Sequence, residues 1–104
     1  MSLYRNKVWC VYIVRRNDGQ LYTGITSNLD RRLGEHVRGV GARWLRGAKR
    51  LQLLYCSASA YDYKTAAQME YNLKRKRGKY FKLRLIKAQP RFLHQYLLAD
   101  KPLR

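Results

Sequence analysis

The chain has 104 residues, enough for one small domain with a modest hydrophobic core and no room for a second. Lys and Arg total 23 and Asp and Glu total 6, so the formal net charge is +17 at pH 7. This imbalance favours nucleic acid as the partner over an anionic membrane or a merely solubilising surface. A hydrophobic content of 46% argues against a disordered chain.

The longest apolar run, 8–14, is too short to cross a bilayer, and no signal peptide precedes it. We therefore expect an intracellular protein, cytoplasmic if its host is bacterial, with no membrane partner. The same run is rich in β-branched and aromatic residues, which is typical of a strand covered on both faces. The segment 16–20, RNDGQ, supplies the Asp-Gly pair that a hairpin turn demands, and 21–25 is the returning strand. Cys10 and Cys56 lack metal-ligand spacing and are interpreted as reduced core residues.

The remaining elements are one strand and a set of helices. The first helix begins at a cap from Ser27 or Asn28 and carries Leu29, Leu33 and Val37 on one stripe. The later elements are a short helix at 42–45, a strand at 51–59, a helix at 63–77 capped by Asp62 and ended by Gly78, and helices at 80–87 and 92–98. The sequence thus predicts an α+β domain of order β-β-α-(α)-β-α-α-α, with helices flanking a small three-stranded mixed sheet.

Several classes of catalytic site are poorly supported by the residues available. The 6 acidic residues form no clustered pair, as a two-metal nuclease would need. The 2 cysteines and 2 histidines lack zinc-finger spacing. A glycine-rich phosphate loop is also absent from the sequence.

Glu70 is a carboxylate in an unexpected place. At about 100° per residue, it falls near the middle of an apolar arc of its helix. That arc consists of Tyr63, Ala66, Ala67 and Leu73. A carboxylate that faces a core is costly unless a cation meets it. It is therefore either paired with an arginine, on a helix rotated from this register, or a lone Mg²⁺ ligand facing a cleft.

Two basic and two phenolic side chains are further candidates. Arg32 and His36 lie one helical turn apart, and we expect both at the boundary between sheet and solvent. They form either a solvated basic face or a phosphate site in which the guanidinium binds bidentately. Tyr12 and Tyr22 lie on strands that the hairpin makes neighbours. Each alone is typical of a core, but nearby cations favour a phenolate that can serve as a general base.

In this order, the residues resemble the GIY-YIG nuclease superfamily, in particular its small stand-alone members. Cys10-Val11-Tyr12 stands at the first family tripeptide and Tyr22-Thr23-Gly24 at the second. NLDRRLGEH at 28–36 is similar to the helix that carries the family's arginine and histidine, and GVGARWLRG at 39–47 to the stretch after it. Glu70 takes the position of the metal-binding glutamate, and the likeness spans roughly 7–88.

The resemblance implies a three-stranded sheet flanked by helices and an enzyme that cuts phosphodiester bonds with one divalent ion. It makes Glu70 the ligand of Mg²⁺ or Mn²⁺ and Arg32 the group that stabilises the pentacovalent phosphorus. Tyr12 or Tyr22 would be the general base or orient the attacking water, and His36 would assist in orientation or proton transfer.

The chain departs from the family pattern in having Cys10 in place of a glycine and no asparagine after Gly78. We carry two main hypotheses: a structure-selective, metal-dependent DNA endonuclease, and a non-catalytic basic module that binds DNA or RNA on the same fold. A third is an architectural or ribosome-associated protein. We expect a monomer or weak dimer, and no protein partner is indicated. Tyr80 or Trp44 would stack on bases, and the predicted backbone contacts are Arg31, Arg43, Lys74, Arg75, Lys76, Arg77 and Lys79.

Overall fold

The computed structural model describes residues 8–37 and 51–99. The elements in these ranges are β1 (Cys10–Arg16), β2 (Leu21–Thr26), α1 (Leu29–Val37), β3 (Leu51–Cys56), α2 (Tyr63–Tyr71), a π-helical turn (Asn72–Lys76) that continues α2, α3 (Lys79–Ala88) and α4 (Leu93–Ala99). The α+β class and the order of elements are confirmed. The predicted short helix at 42–45 lies outside the described residues. No helix in the described ranges is both long and apolar enough to traverse a bilayer.

The three strands form a sheet in the order β2-β1-β3, and both strand pairs are antiparallel. The prediction of a mixed sheet is therefore wrong. The connection through α1 does make β2 and β3 parallel to each other, as a helical crossover does. However, β1 lies between them and runs opposite to both, so no parallel pair forms.

The central strand β1 is covered on both faces, as its continuous apolar sequence predicts. Its first five residues are each at most 1% exposed. Because side chains alternate along a strand, Val11 and Ile13 point to one face and Tyr12 and Val14 to the other. The first pair packs in the core with residues of α2, α3 and α4. The second pair packs against the leucine stripe of α1, so β1 belongs to both hydrophobic clusters.

Local signals define where the turn and two helices begin. Gly19 in the β1–β2 turn has a φ of 89°, which an L side chain rarely adopts. Asn28, rather than Ser27, caps α1 through its Oδ1, which accepts the backbone N–H three residues on at 3.0 Å. Asp62 caps α2 in the same way at 2.8 Å. The capping side chains therefore fix the start of the two helices that flank the sheet.

Helix α2 is rotated slightly from the register that the sequence suggested. Its buried residues, together with the following turn, are Ala66, Met69 and Leu73. Tyr63, which we expected on the apolar arc, is 59% exposed because it lies in the first turn, at the margin of the core. The rotation moves Glu70 from the middle of the buried arc to its edge.

Tyr12 of β1 and Gly24 of β2 face each other in the register. A Cβ atom on Gly24 would lie 2.5 Å from the Tyr12 hydroxyl oxygen and 2.6 Å from Cζ of the same ring. The Tyr12 ring is fully buried and has no open space into which to move. Glycine is therefore required here by the phenol across the strand pair, and not by an unusual backbone conformation.

We predict that Gly24→Ala lowers the free energy of unfolding by about 2 kcal/mol or more, because the added methyl overpacks against the Tyr12 ring. Urea denaturation measures this change. Gly78→Ala is the control, since a Cβ there meets no atom within 4 Å, and its cost should stay below about 1 kcal/mol. Equal destabilisation by the two substitutions would contradict the close approach.

Candidate active site

Tyr12 of β1 and His36 of α1 form a buried hydrogen-bonded pair. The Tyr12 hydroxyl lies 2.9 Å from Nε2 of His36. His36 is only 1% exposed, so the expectation that it lies at the boundary with solvent is wrong. The cause is the seating of α1 on the sheet, which places the imidazole against two rings. The centroid of the His36 ring is 6.1 Å from the centroid of the Tyr12 ring and 5.9 Å from that of the Tyr22 ring.

The protonation of this pair follows from its surroundings. Burial raises the pKa of Tyr12 to about 12, with the charge of Glu70 adding to the rise and Arg32 opposing it. Burial also lowers the pKa of His36, and the nearby Arg32 charge lowers it further, while Glu35 acts in the other direction. At neutral pH the phenol is therefore protonated and the imidazole neutral, so Tyr12 donates its proton to Nε2.

Arg32 lies at the rim of this pair, with its side chain about one-third exposed. One terminal nitrogen donates to Oε1 of Glu35 at 3.1 Å. Burial alone would lower the pKa of Arg32, but hydrogen bonds with Tyr12 and Glu35 raise it. Its Nε is buried and has no hydrogen-bond partner within 8–37 and 51–99. The guanidinium thus remains charged and still has donor capacity for an anion.

Glu70 approaches the same region from α2. Its Oε2 lies 3.2 Å from Nζ of Lys74, and the carboxylate side chain is 23% exposed. The Lys74 ammonium also lies 5.1 Å from the centre of the Tyr22 ring, and that ring is 6.5 Å from Tyr12. The structure therefore brings the five predicted residues together through contacts and charge. They are Tyr12, Tyr22, Arg32, His36 and Glu70.

Sequence reasoning missed the place of Lys74. It lies in a run of four basic residues, and we grouped it with the predicted backbone contacts on that basis. The structure instead places its ammonium between Glu70 and Tyr22. The signal that could have found it is spacing, because residues four apart on a helix are neighbours and a glutamate preceding a lysine is the favourable order.

The other residues predicted to contact nucleic acid occupy varied positions. Arg31, Arg75, Lys76 and Lys79 are exposed, and Arg43 lies outside the described residues. Arg77 uses its guanidinium within the fold: its Nε donates to Asn72 at 3.0 Å and another nitrogen to the backbone of α4 at 3.4 Å. It therefore joins the π-helical turn to α4.

The donor set fits one hard divalent ion rather than zinc. Across the described ranges, no three His, Cys, Asp or Glu residues converge on a point. A single partly exposed carboxylate suits Mg²⁺ or Mn²⁺, which keep several waters and take further oxygens from a phosphate. The Lys74 ammonium 3.2 Å from Glu70 shows that this position already attracts a cation. Glu70 is the residue that would hold the ion.

The sequence-family model for the GIY-YIG catalytic domain matches residues 8–84, which is most of the chain and includes all five site residues. The chain belongs to the GIY-YIG family. It is 91% identical over its whole length to UPF0213 protein ORF82 of Orgyia pseudotsugata multicapsid polyhedrosis virus, which it also covers completely. It is 67% identical to a UPF0213 protein of Autographa californica nuclear polyhedrosis virus, with 96% of each chain covered.

A solved structure is also similar. The solution structure of UPF0213 protein BH0048 from Bacillus halodurans shares 31% identity at a TM-score of 0.50, covering 78% of this chain and 84% of that one.

The two tripeptides that are typical of the family meet in the sheet. Tyr12, the tyrosine of the first tripeptide, lies over Gly24, the glycine of the second. Cys10, which replaces a family glycine, is buried and is not in a disulfide.

The lowered pKa of His36 predicts how stability depends on pH. The unfolded imidazole binds a proton below about pH 6.5 whereas the folded one does so only at lower pH, so the unfolded state binds more protons in that window. The free energy of unfolding should fall as pH drops from 7 to 5.5, by at most about 1.4 kcal/mol per pH unit for one group. Urea titrations of wild type and His36→Gln should show a shallower dependence in the variant. An unchanged slope would contradict the buried neutral imidazole.

Proposed function

We propose that this GIY-YIG protein is a metal-dependent endonuclease that hydrolyses phosphodiester bonds in DNA. The observation that carries the proposal is the convergence of two phenols, an arginine, a histidine and a carboxylate from β1, β2, α1 and α2. These groups are drawn from distant parts of the chain, and their types match the needs of phosphoryl transfer, namely positioning and stabilisation of negative charge.

Glu70 would hold one Mg²⁺ or Mn²⁺ ion at the exposed side of the site. When bound, the ion supplies Lewis-acid polarisation of the phosphate and neutralises developing charge. Arg32 would bind the phosphate from the α1 side, because its planar fork suits two oxygens and about one-third of its side chain is exposed. The phosphate would therefore lie between the carboxylate and the guanidinium.

The two phenols differ in ways that suggest separate tasks. The Tyr12 proton already has an acceptor, the neutral His36 Nε2 at 2.9 Å. Tyr12 is sealed from solvent, and both pKa shifts oppose proton transfer to His36, so this pair would position α1 in the site rather than act on water. Tyr22 is only partly buried, so it is the phenol that can reach the attacking water, and we assign to it the general-base or water-orienting role.

Substrate choice would depend on shape. The exposed Arg31, Arg75, Lys76 and Lys79 are suited to contact phosphates, which position a protein on nucleic acid without reading its sequence. Tyr80, between Lys79 and Lys82, is 80% exposed and offers a ring for stacking on an unpaired base. We therefore expect branched, flapped or single-stranded regions to be preferred over uniform duplex, and affinity to fall steeply with salt.

The nuclease proposal predicts that Glu70→Gln lowers the cleavage rate at least ~100-fold in Mg²⁺ or Mn²⁺, because the only proposed ion ligand loses its charge. The assay follows cutting of supercoiled plasmid and of linear, flapped and branched oligonucleotides. Asp30→Asn is the matched control, since Asp30 is an exposed carboxylate of α1 and its removal should leave the rate unchanged. Undiminished cleavage by Glu70→Gln would refute the proposed mechanism.

A second candidate is a binding module without efficient cleavage. It is favoured by the resting state of the site, in which Glu70 is already paired with Lys74 and Tyr12 is sealed from solvent. This alternative predicts that DNA or RNA binds with strong salt dependence, indifferent to divalent ions and to Glu70→Gln. Absence of cleavage on every substrate, together with such binding, would establish it over the endonuclease.

A further inference from the structure

Lys74 occupies the position that a metal ion on Glu70 would need. Its ammonium is 3.2 Å from Oε2 of Glu70 and 5.1 Å above the Tyr22 ring. The ion pair is internal to α2 and its π-helical turn, at the i,i+4 spacing that makes helical side chains neighbours. The ring holds the ammonium through its negative face, which gives the lysine two attractions toward the same point.

A divalent ion and this ammonium cannot both lie against the Glu70 carboxylate at their preferred distances. Mg²⁺ binds oxygen at about 2.1 Å and carries its own waters, which would place two cations within a few ångströms of each other. Their repulsion is strong in a partly buried site. Binding of the ion therefore requires the ammonium to leave the carboxylate.

We propose that Lys74 is a displaceable counter-cation that competes with the divalent ion for Glu70 and, once displaced, binds the substrate phosphate. The inference rests on the proposed role of Glu70 as metal ligand. It gives Lys74 a function that its place in a basic run does not indicate, namely to link occupancy of the metal site to binding of the polyanion.

The residue type suits this exchange. Lysine carries a compact charge on a flexible stem, and the Lys74 side chain is 38% exposed, so it can move without disturbing the core. Arginine in the same place would bind the carboxylate through two parallel hydrogen bonds and would be harder for a metal ion to displace. A neutral residue would leave Glu70 without competition, but it would also leave no charge to meet the phosphate.

The competition should be modest, because both partners are partly exposed and such ion pairs are weak. We expect Lys74→Met to bind Mn²⁺ roughly two- to five-fold more tightly than wild type, and Lys74→Arg to bind it more weakly. In wild type, Mn²⁺ that displaces the Lys74 ammonium from Glu70 frees this charge to bind a DNA phosphate. By thermodynamic linkage, Mn²⁺ and DNA should therefore each strengthen the binding of the other. In Lys74→Met this mutual effect should shrink.

The test is equilibrium binding of Mn²⁺ to the full chain, followed by the electron paramagnetic resonance signal of the free ion. It is run with and without a short phosphorothioate duplex that resists cleavage. Lys64→Met is the matched control, because it removes one exposed positive charge from the same helix, α2, and should leave Mn²⁺ affinity unchanged. Glu70→Gln should abolish the Mn²⁺ binding that responds to Lys74.

The outcomes separate this inference from the nuclease proposal. Tighter Mn²⁺ binding by Lys74→Met but not by Lys64→Met supports the competition, whether or not DNA is cut. Equal affinity in wild type, Lys74→Met and Lys74→Arg overturns it, even if cleavage depends on Glu70. If Mn²⁺ fails to bind wild type and all variants, the inference is refuted along with the metal role of Glu70.

Discussion

The contact of the Tyr12 phenol with its surroundings is the constraint on which the rest of the site depends. The ring lies over Gly24 of β2, and its hydroxyl reaches His36 of α1. One side chain of the central strand therefore requires a glycine on β2 and holds α1 to the sheet through His36. Because the ring has no exposed surface, it cannot move to accommodate a change in either neighbour.

Charge is arranged around this buried pair so that each acidic group of the site meets a cation. Glu35 pairs with Arg32 on α1, and Glu70 pairs with Lys74 beside α2. In a chain with a net charge of +17, these carboxylates are scarce and their placement is informative. One ion pair borders Tyr12 through Arg32, and the other borders Tyr22 through Lys74.

Much of this arrangement could be predicted from local patterns. The apolar run of β1, the Asp-Gly turn and the Asp62 cap are determined by short-range physical chemistry, and all three are present. The strand directions could not be predicted from local patterns, because a strand as short as β3 takes its direction from the elements around it and not from its own residues. The burial of His36 was missed for a similar reason: its spacing from Arg32 places both on one side of a helix but does not say how deeply that side is seated. Lys74 was obscured by the basic residues around it.

The π-helical turn at Asn72–Lys76 has a consequence for how this helix can change. A π-helical turn holds more residues than an α-helical one, so this segment carries an extra residue relative to a continuous α-helix. Loss of that one residue would let α-helical geometry continue without rotating the flanking segments, because the wider turn is the local accommodation of the added residue. A deletion within the α-helical part, Tyr63–Tyr71, has no such slack and would rotate every residue beyond it by about 100°. The turn is therefore the place in this helix where a change of length disturbs the packed face least.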